Sequence, residues 1–575
     1  VYRLLGKSRW RVLLLVAIPC SVSLWAGFFI DDYVIIEIAR NTRWGVDLID
    51  SNFDICATSL LDGWLPEFLA RFHLNFFRPG IIALFKIDWM LYGLNPAGYH
   101  LTNVLLHLLM VYSVIRLVRP WTGNERDACL AGLLFGLMPH SISAVVWLAG
   151  RTSILAALLV VWCYLFFRRY QASGSRWAGL GSLLALIGAL ACKETGLIAP
   201  FLIAACMPKK PWTKPLFWML LAVAALYLGG RATIWGWGTY HGPSILNAPE
   251  GWPGRIRFAW LKAVEIYLSL ALQVPHYHIL HIKAMESPGL FAGISAAGLL
   301  LGFVMWRRLR THPAGWWMLA WCGLSCAITF PVPPMAHYLY LAQAGIALTF
   351  VLFWRAEPRD PRWRIHVGLG AWWLLVVAGT LCYVLAGVLS RTQADMVTRA
   401  RERMVQVAQD LQPGGTLALV DLHIFQIHLG PAFRVRTGRD DVKIVVLNPA
   451  NGFVQPKPSR IETVDEHTVR LQAVGRPYLT DIVAKYLLLD VEAPDWMPGM
   501  GVEWSDPAYR LSVGRIGPPR ESRQRGLAEI EVHFADPIDG RRVAIVRCLE
   551  PGDMDDWLLR WMASLGGGSS HRVDY

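Results

Sequence analysis

From about Val12 an apolar run extends to Ile30 and then stops on two adjacent carboxylates, Asp31 and Asp32. Comparable runs recur at about 99–116, 128–146, 152–167, 177–192, a short stretch before Lys209, 215–231, 289–306, 315–332, 338–354 and 366–389. Most approach the ~20 residues that a membrane-crossing helix needs. Basic residues fall between them in blocks: Arg3 to Arg11, Arg116 and Arg119, Arg168 and Arg169, Lys209 to Lys214, Arg307 to Arg310, and Arg355 to Arg364. Placing every block on the cytoplasmic side gives about eleven spans, with the N-terminus inside and the C-terminus outside. The apolar stretch at 258–282 is read as an external or re-entrant helix, because counting it as a span would put Arg307, Arg308 and Arg310 outside. The pattern therefore predicts a polytopic α-helical membrane protein.

Two stretches break the pattern. Between 31 and 98 Trp64, Phe68, Phe72, Phe76, Phe77, Ile81, Leu84 and Phe85 alternate with polar residues, which predicts an external loop with interfacial amphipathic helices. After Ser390 charges become frequent and short β-rich runs appear at 416–420, 442–447, 486–489 and 543–546, separated by Pro, Gly and Asp. Residues 1–390 are thus expected to form the membrane module, 391–565 a soluble periplasmic α/β or α+β domain, and 566–575, with Gly566-Gly567-Gly568-Ser569-Ser570, a flexible tail.

Composition agrees with this division. Of 575 residues, 54% are hydrophobic and 17% charged, too apolar a balance for a soluble protein. The formal charge of +13 does not indicate nucleic acid, because the basic residues sit in short blocks between spans rather than along one face. Most of the ten cysteines lie inside apolar runs and read as small core residues; a Cys56–Cys548 bridge has no support from spacing. The first run lacks a small-residue cleavage site and reads as an anchor.

Candidate chemistry begins with the acidic pair. Ionisable groups at a span end are costly, so Asp31 and Asp32 are functional candidates; the bland alternative is a solvated helix end, with Asp32 capping the helix that follows. Arg78, Arg151, Lys193 and Arg231 all fall at outer span ends. Each has an ordinary alternative: loop-tying hydrogen bonds for Arg78 and Arg151, an ion pair with Glu194 or another acid for Lys193, and snorkelling to headgroups for Arg231. His140 is a ligand-contact candidate or a packing histidine. His100, Asn103 and His107 recur on one helical face and are read as a hydrogen-bonded seam between spans. His276, His278 and His281 have offsets that suit no helical face and are read as an interfacial loop, with contact to a lipid phosphate or the acceptor as the second reading and a metal site as the third. Asp421-Leu422-His423 and Asp440-Asp441 are read as solvated surface.

The order of several short motifs resembles a known group. A first span ending in an acidic pair, an external loop, and Gly93-Leu94-Asn95-Pro96-Ala97-Gly98-Tyr99-His100-Leu101-Thr102-Asn103-Val104-Leu105-Leu106-His107 look like the glycosyltransferase C superfamily. Arg78-Pro79, Leu134-Phe135-Gly136-Leu137-Met138-Pro139-His140, Ala149-Gly150-Arg151, Lys193-Glu194 and Tyr338-Leu339-Tyr340 are similar to the transmembrane O-mannosyltransferases that carry tetratricopeptide repeats. The run Asp31-Asp32 through Ala39-Arg40 also resembles protein O-mannosyltransferases and aminoarabinose transferases. The resemblance covers about 12–350. The family's Gly-Arg-Ala-Asp reads Gly150-Arg151-Thr152-Ser153 here, His337 stands where the family has Arg, and no tetratricopeptide repeat is visible.

This resemblance implies a glycosyltransferase C-like arrangement and a polyprenyl-phosphate sugar as donor, of hexosyl or mannosyl type. Such a donor leaves as an ionised phosphate, so no acid need protonate it. What remains is one base for the acceptor hydroxyl and cations for the phosphate. On that reading Asp31 is the base and Asp32 its helper. Lys193, Arg231, Arg78 and Arg151 would hold the donor phosphate, while His140, Glu194 and Tyr338 would line the substrate. No metal ligand is assigned and no cofactor is required; a divalent cation is left open. The acceptor is a protein, lipid or glycan on the outer face of a bacterial inner membrane. Two other classes stay open: a transporter or flippase for lipid-linked saccharide, which should place charges near the midplane, and a non-catalytic envelope scaffold, in which Asp31 is dispensable.

Overall fold

The computed structural model describes residues 8–29, 31–45, 47–48, 52–56, 73–207, 209–235, 251–272, 288–310, 312–327, 336–355, 362–422, 426, 428–448, 458–474, 503–506, 509–516 and 527–549. The chain is mainly helical. Among the described residues three helical segments are long and apolar enough to cross a bilayer, Pro96–Thr122, Leu148–Ser173 and Pro215–Ile234; they contain the expected runs 99–116, 152–167 and 215–231. Shorter apolar helices lie at Arg176–Leu190, Glu194–Cys206, Pro288–Leu300 and Gln343–Leu352.

The helices that position the acidic pair are α1 (Arg9–Cys20), α2 (Asp32–Asn41), α3 (Pro79–Tyr92), α4 (Pro96–Thr122), α5 (Glu125–Leu137), α6 (Pro139–Val146), α7 (Arg151–Ser173) and α8 (Arg176–Leu190). Pro79, Pro96 and Pro139 each occupy the first turn of their helix, where a missing N–H leaves nothing unsatisfied. The run at 128–146, expected as one span, is instead two helices bent by 59° between α5 and α6. Met138 is extended ahead of Pro139, as a residue preceding proline tends to be.

The 31–98 region is only partly helical. Asn52–Cys56 (β1) and His73–Phe77 (β2) pair antiparallel, with Phe53 opposite Phe76. Phe76 and Phe77, expected on an interfacial helix, therefore lie on a strand that finds its hydrogen-bond partners across a hairpin. Ile81 and Phe85 are on α3 but buried rather than facing lipid. Residues 57–72, with Trp64, Phe68 and Phe72, lie outside the described residues, as do 273–287 with His276, His278 and His281, 486–489 and the 566–575 tail. The first part of the 258–282 stretch belongs to helix Gly251–Leu272, which packs against Pro288–Leu309.

Helix Arg362–Val407 runs through Ser390 without a break, so the change of composition there falls within one continuous helix. Beyond it, among the described residues, stand two sheets. Thr416–Val420 (β3) is flanked by Lys443–Val446 (β4) and Val543–Arg547 (β10), all parallel; Arg460–Thr463 (β5), Thr468–Gln472 (β6), Leu527–Phe534 (β9), Tyr509–Ile516 (β8) and Glu503–Asp506 (β7) form an antiparallel sheet in that spatial order. The expected runs at 416–420, 442–447 and 543–546 coincide with β3, β4 and β10. Helix Leu429–Thr437 connects β3 to β4 and packs on α2. There Arg434 forms a two-pronged ion pair with Glu37, Arg40 donates to the Arg434 carbonyl at 3.1 Å, and Arg401 donates to Tyr33 Oη at 2.7 Å. The helix that starts at the acidic pair is thereby clamped to the C-terminal region.

Asp421 is not solvated surface. At the end of β3 it takes φ 59°, an uncommon conformation for a residue with a Cβ. Its buried carboxylate accepts from Asn448 Nδ2 at 3.0 Å, the Ser459 amide at 2.9 Å and the Ser459 hydroxyl, with Arg547 Nε at 3.8 Å. This polar knot ties the end of β3 to the segments leaving β4 and entering β5. Asp440 and Asp441 are exposed, Asp441 pairing with Arg439 at 2.6 Å.

Candidate functional site

Two close backbone approaches assemble the candidate residues. Gly80, in Arg78-Pro79-Gly80, donates its N–H to the Ala191 carbonyl at 2.9 Å, and a Cβ there would meet Cys192 Sγ at 3.0 Å. The start of α3 is thus seated on the two residues preceding Lys193-Glu194. Arg78 Nη2 then lies 4.0 Å from Glu194 Oε2. At Gly150 a Cβ would meet the Ala144 carbonyl oxygen at 2.7 Å, so the turn Leu148–Gly150 lies tight against α6. That turn carries Trp147 and Arg151 on either side of it.

Asp31 is 8% exposed and accepts from Trp147 Nε1 at 2.9 Å. Burial pushes its carboxyl up to about 6, against the lowering effects of the Trp147 hydrogen bond and the Arg78 charge. Asp32 is completely buried and does not cap α2. Its Oδ2 instead accepts backward from the Phe29 amide at 3.0 Å. Burial and the neighbouring Asp31 charge push the Asp32 carboxyl well above the usual carboxylate range. Adjacent in sequence, the two acids have different surroundings: Asp31 meets the Trp147 indole and the Arg78 charge, Asp32 a backbone turn and the Arg151 charge.

Arg78 is the electrostatic centre of the group, acting on Asp31, Lys193, Tyr338 and Tyr227. Lys193 donates to Ser153 Oγ at 2.7 Å and rests over the Tyr338 ring at 4.1 Å. Among the described residues no carboxylate stands within ion-pair distance of its ammonium. Burial and Arg78 hold that group well below its usual range. His337 packs edge-on against Trp147, with ring centroids 5.0 Å apart, and adjoins Tyr338. Arg231 is buried and shares with Arg78 and Glu194 an electrostatic influence on Tyr227. The fold thus brings together Asp31, Arg78, Lys193, Glu194, Tyr338 and Arg231, joined by Trp147, His337, Ser153 and Tyr227.

Arg151 and His140 are engaged otherwise. Arg151 is entirely enclosed: it pairs with Asp88 at 2.6 Å, donates to Asn103 Oδ1 at 2.7 Å and the Tyr99 carbonyl at 2.9 Å, and stacks over Phe85 at 4.3 Å. These are loop-tying contacts, the alternative weighed for it from sequence. His140 Nε2 meets Ser269 Oγ at 2.7 Å. The seam expected on α4 is present: Asn103 Nδ2 donates to the Val145 and Trp147 carbonyls, and His107 meets Tyr340 Oη at 2.6 Å. Sequence reading missed Asp88 and Tyr227, which lack a motif; a lone Asp among apolar residues of α3 was the available signal for the first.

No family model matches the chain. Against curated proteins, it is 27% identical to Protein O-mannosyl-transferase Tmtc1 of Drosophila melanogaster over 170 residues, 30% of this chain and 18% of that protein. It is 32% identical to Drosophila Protein O-mannosyl-transferase Tmtc2 over 192 residues, 31% of this chain and 19% of that one. The chain is similar to the protein O-mannosyl-transferases. That is the group to which the motif order pointed. It spans about a fifth of the length of these relatives. Among solved structures, ArnT from Cupriavidus metallidurans bound to undecaprenyl phosphate aligns with 76% of this chain and 85% of its own, at 13% identity and a TM-score of 0.39.

Replacing Trp147 by Phe removes a hydrogen bond that favours the charged form of Asp31, so its carboxyl should titrate higher still. The expected result is an acid limb of any Asp31-dependent activity displaced upward by roughly 0.5–1 pH unit, corresponding to about 1 kcal/mol for the lost bond. The pH–rate profile of the variant checks it.

Proposed function

We propose that the chain is an inverting glycosyltransferase that moves a sugar, of the mannosyl class, from a polyprenyl-phosphate donor to a hydroxyl on a protein acceptor. The observation that carries the reading is the convergence of one carboxylate adapted to act as a base with a set of buried cations. Similarity to the O-mannosyl-transferases supports the sugar and the acceptor class.

In the proposed step the acceptor oxygen attacks the anomeric carbon and the bond from that carbon to the phosphate oxygen breaks. The bonding electrons leave with polyprenyl phosphate, and the acceptor proton passes to Asp31. A carboxylate titrating near 6 is ionised at neutral pH yet more basic than an exposed Asp, which suits general-base work. Asp32, its carboxyl pushed upward by burial and bonded to the Phe29 amide, sets the backbone on which Asp31 stands. Lys193 and Arg78 hold the departing phosphate, with Arg231 beside them. Phosphate would supply the anionic partner that Lys193 lacks among the described residues. Glu194 orients Arg78, Tyr338 walls the site, and Arg151 is a positioning residue.

The reading places the site on the outer face of a bacterial inner membrane, in a module of about eleven spans with residues beyond 390 on the same outer side. Donor binding tests it. Titrating detergent-solubilised protein with polyprenyl phosphate should give a dissociation constant on the order of 10- to 100-fold weaker for Lys193→Ala and Arg78→Gln, the worth of one charge-assisted bond. Equal affinity in wild type and both variants would remove these cations from the donor site.

A further inference from the structure

A second polar constellation lies at the other end of the same helices. Arg9 opens α1, whose chain leads to Asp31, and Arg119 closes α4, a helix of 27 residues whose first turn faces Arg151. At about 1.5 Å per residue the two ends of α4 are roughly 40 Å apart. Between the ends of α1, α4 and α5 is a cavity of about 600 Å³ lined by Ser8, Arg9, Trp10, Arg119, Asn124 and Glu125.

The lining is cationic. Glu125 is its one carboxylate, and it pairs with Arg9 at 2.5 Å and Arg119 at 2.9 Å. Arg116, one turn earlier on α4, adds a third positive charge that Glu125 feels. Asn124 caps α5, accepting from the Asp127 amide at 2.9 Å, so the positive end of that helix faces the same place. None of these residues takes part in the site around Asp31.

Two exposed apolar stripes lead to this cavity. On α1, Ile18, Leu14 and Trp10 are spaced four residues apart and are 67, 65 and 77% exposed. On α4, Leu101, Leu105 and Leu109 follow one another at the same spacing and continue through Tyr112 to Arg116. The stripes adjoin where the Arg9 guanidinium lies over the Tyr112 ring at 5.7 Å. Apolar side chains at this spacing present one helix face to hydrocarbon. A Trp at the end of the stripe marks the headgroup level. The arginines therefore stand where acyl chains give way to phosphates.

We propose that this cavity binds the phosphate-bearing headgroup of an anionic phospholipid, with its acyl chains lying along the two stripes. The arginine fork donates to the phosphate oxygens, the α5 N-terminus adds its partial charge, and Trp10 packs beside the glycerol. A soluble phosphate compound shares the headgroup chemistry but has nothing to place on the stripes.

The test uses the full chain in a neutral detergent, titrated with phosphatidylglycerol, phosphatidylcholine and glycerol 1-phosphate, with bound lipid counted by native mass spectrometry. Phosphatidylglycerol is expected to bind, with phosphatidylcholine and glycerol 1-phosphate at least tenfold weaker. The double variant Arg116→Gln, Arg119→Gln should bind phosphatidylglycerol about 30-fold more weakly, from the loss of two charges at a membrane surface. Glu125→Gln, which takes the carboxylate out of the lining, should bind it more tightly, an increase that misfolding would not produce. Equal retention of phosphatidylcholine, competition by glycerol 1-phosphate at equal concentration, or unchanged binding in both variants would overturn the proposal.

Discussion

Arg151→Ala is expected to lower stability by about 3–5 kcal/mol, because it strands a carboxylate that has no other cation within reach among the described residues. Asp88 is 2% exposed; its Oδ2 meets Arg151 and its Oδ1 accepts from Thr102 at 2.8 Å. The same substitution removes donors from Asn103 and the Tyr99 carbonyl and empties the space over Phe85. Four segments lose their common anchor: α3, the start of α4, the turn at Leu148–Gly150 and the start of α7. Arg151→Lys should rescue little, since one ammonium does not reproduce a planar fork directed at a carboxylate, an amide and a carbonyl. Asp88→Asn with Arg151→Gln, which removes both charges together, should be milder than either single loss. Reversible unfolding in mixed micelles measures all three. A destabilisation below 1 kcal/mol for Arg151→Ala would show that the enclosed pair is not what holds these segments.

Asp31→Asn is expected to reduce transfer by 10²–10⁴-fold, the usual contribution of a general base, while making the protein more stable. The sign follows from the direction of the shift. The folded-state carboxyl titrates near 6, above the ordinary 3.8, so the folded state holds the proton more tightly than the unfolded state. Stability from that difference is present below about pH 4 and is lost as pH rises toward 6. At pH 7.5 the wild type has forfeited on the order of 3 kcal/mol that the Asn side chain retains. Activity is expected to have the opposite sense, falling as pH drops below about 6 as the proposed base becomes protonated. A structural role for Asp31 would not raise stability and abolish transfer together.

Much of the candidate site was legible in the sequence because it is carried by short motifs whose local conformation is forced. Arg78-Pro79-Gly80 and Ala149-Gly150-Arg151 announce close approach through their glycines, and Lys193-Glu194 follows an apolar helix end. The order of these motifs pointed to the O-mannosyl-transferases before any geometry was available. What sequence did not reveal was the division of labour among the cations. Arg78 and Arg151 look alike in a linear pattern; only packing shows that Asp88, without a motif of its own, occupies Arg151 while Arg78 lies beside Glu194 with its charge felt at Asp31.

The α5–α6 bend was hidden because the run at 128–146 is largely apolar on both sides of Met138-Pro139, although the proline was in plain view. Asp421 was misread for a similar reason. A carboxylate among turn residues resembles surface, and its partners Asn448 and Ser459 lie 27 and 38 residues further along the chain, just after β4 and just before β5. The clamp between Glu37 and Arg434, nearly four hundred residues apart, lies equally beyond any local pattern.

The most direct test is single-turnover transfer from radiolabelled polyprenyl-phosphate mannose to hydroxyl-bearing peptides, comparing wild type with Asp31→Asn from pH 5 to 8. The account predicts wild-type transfer with an acid limb near pH 6, and a variant that binds donor, unfolds at higher temperature and transfers at least a hundredfold more slowly at every pH. Equal transfer by the two proteins would contradict it.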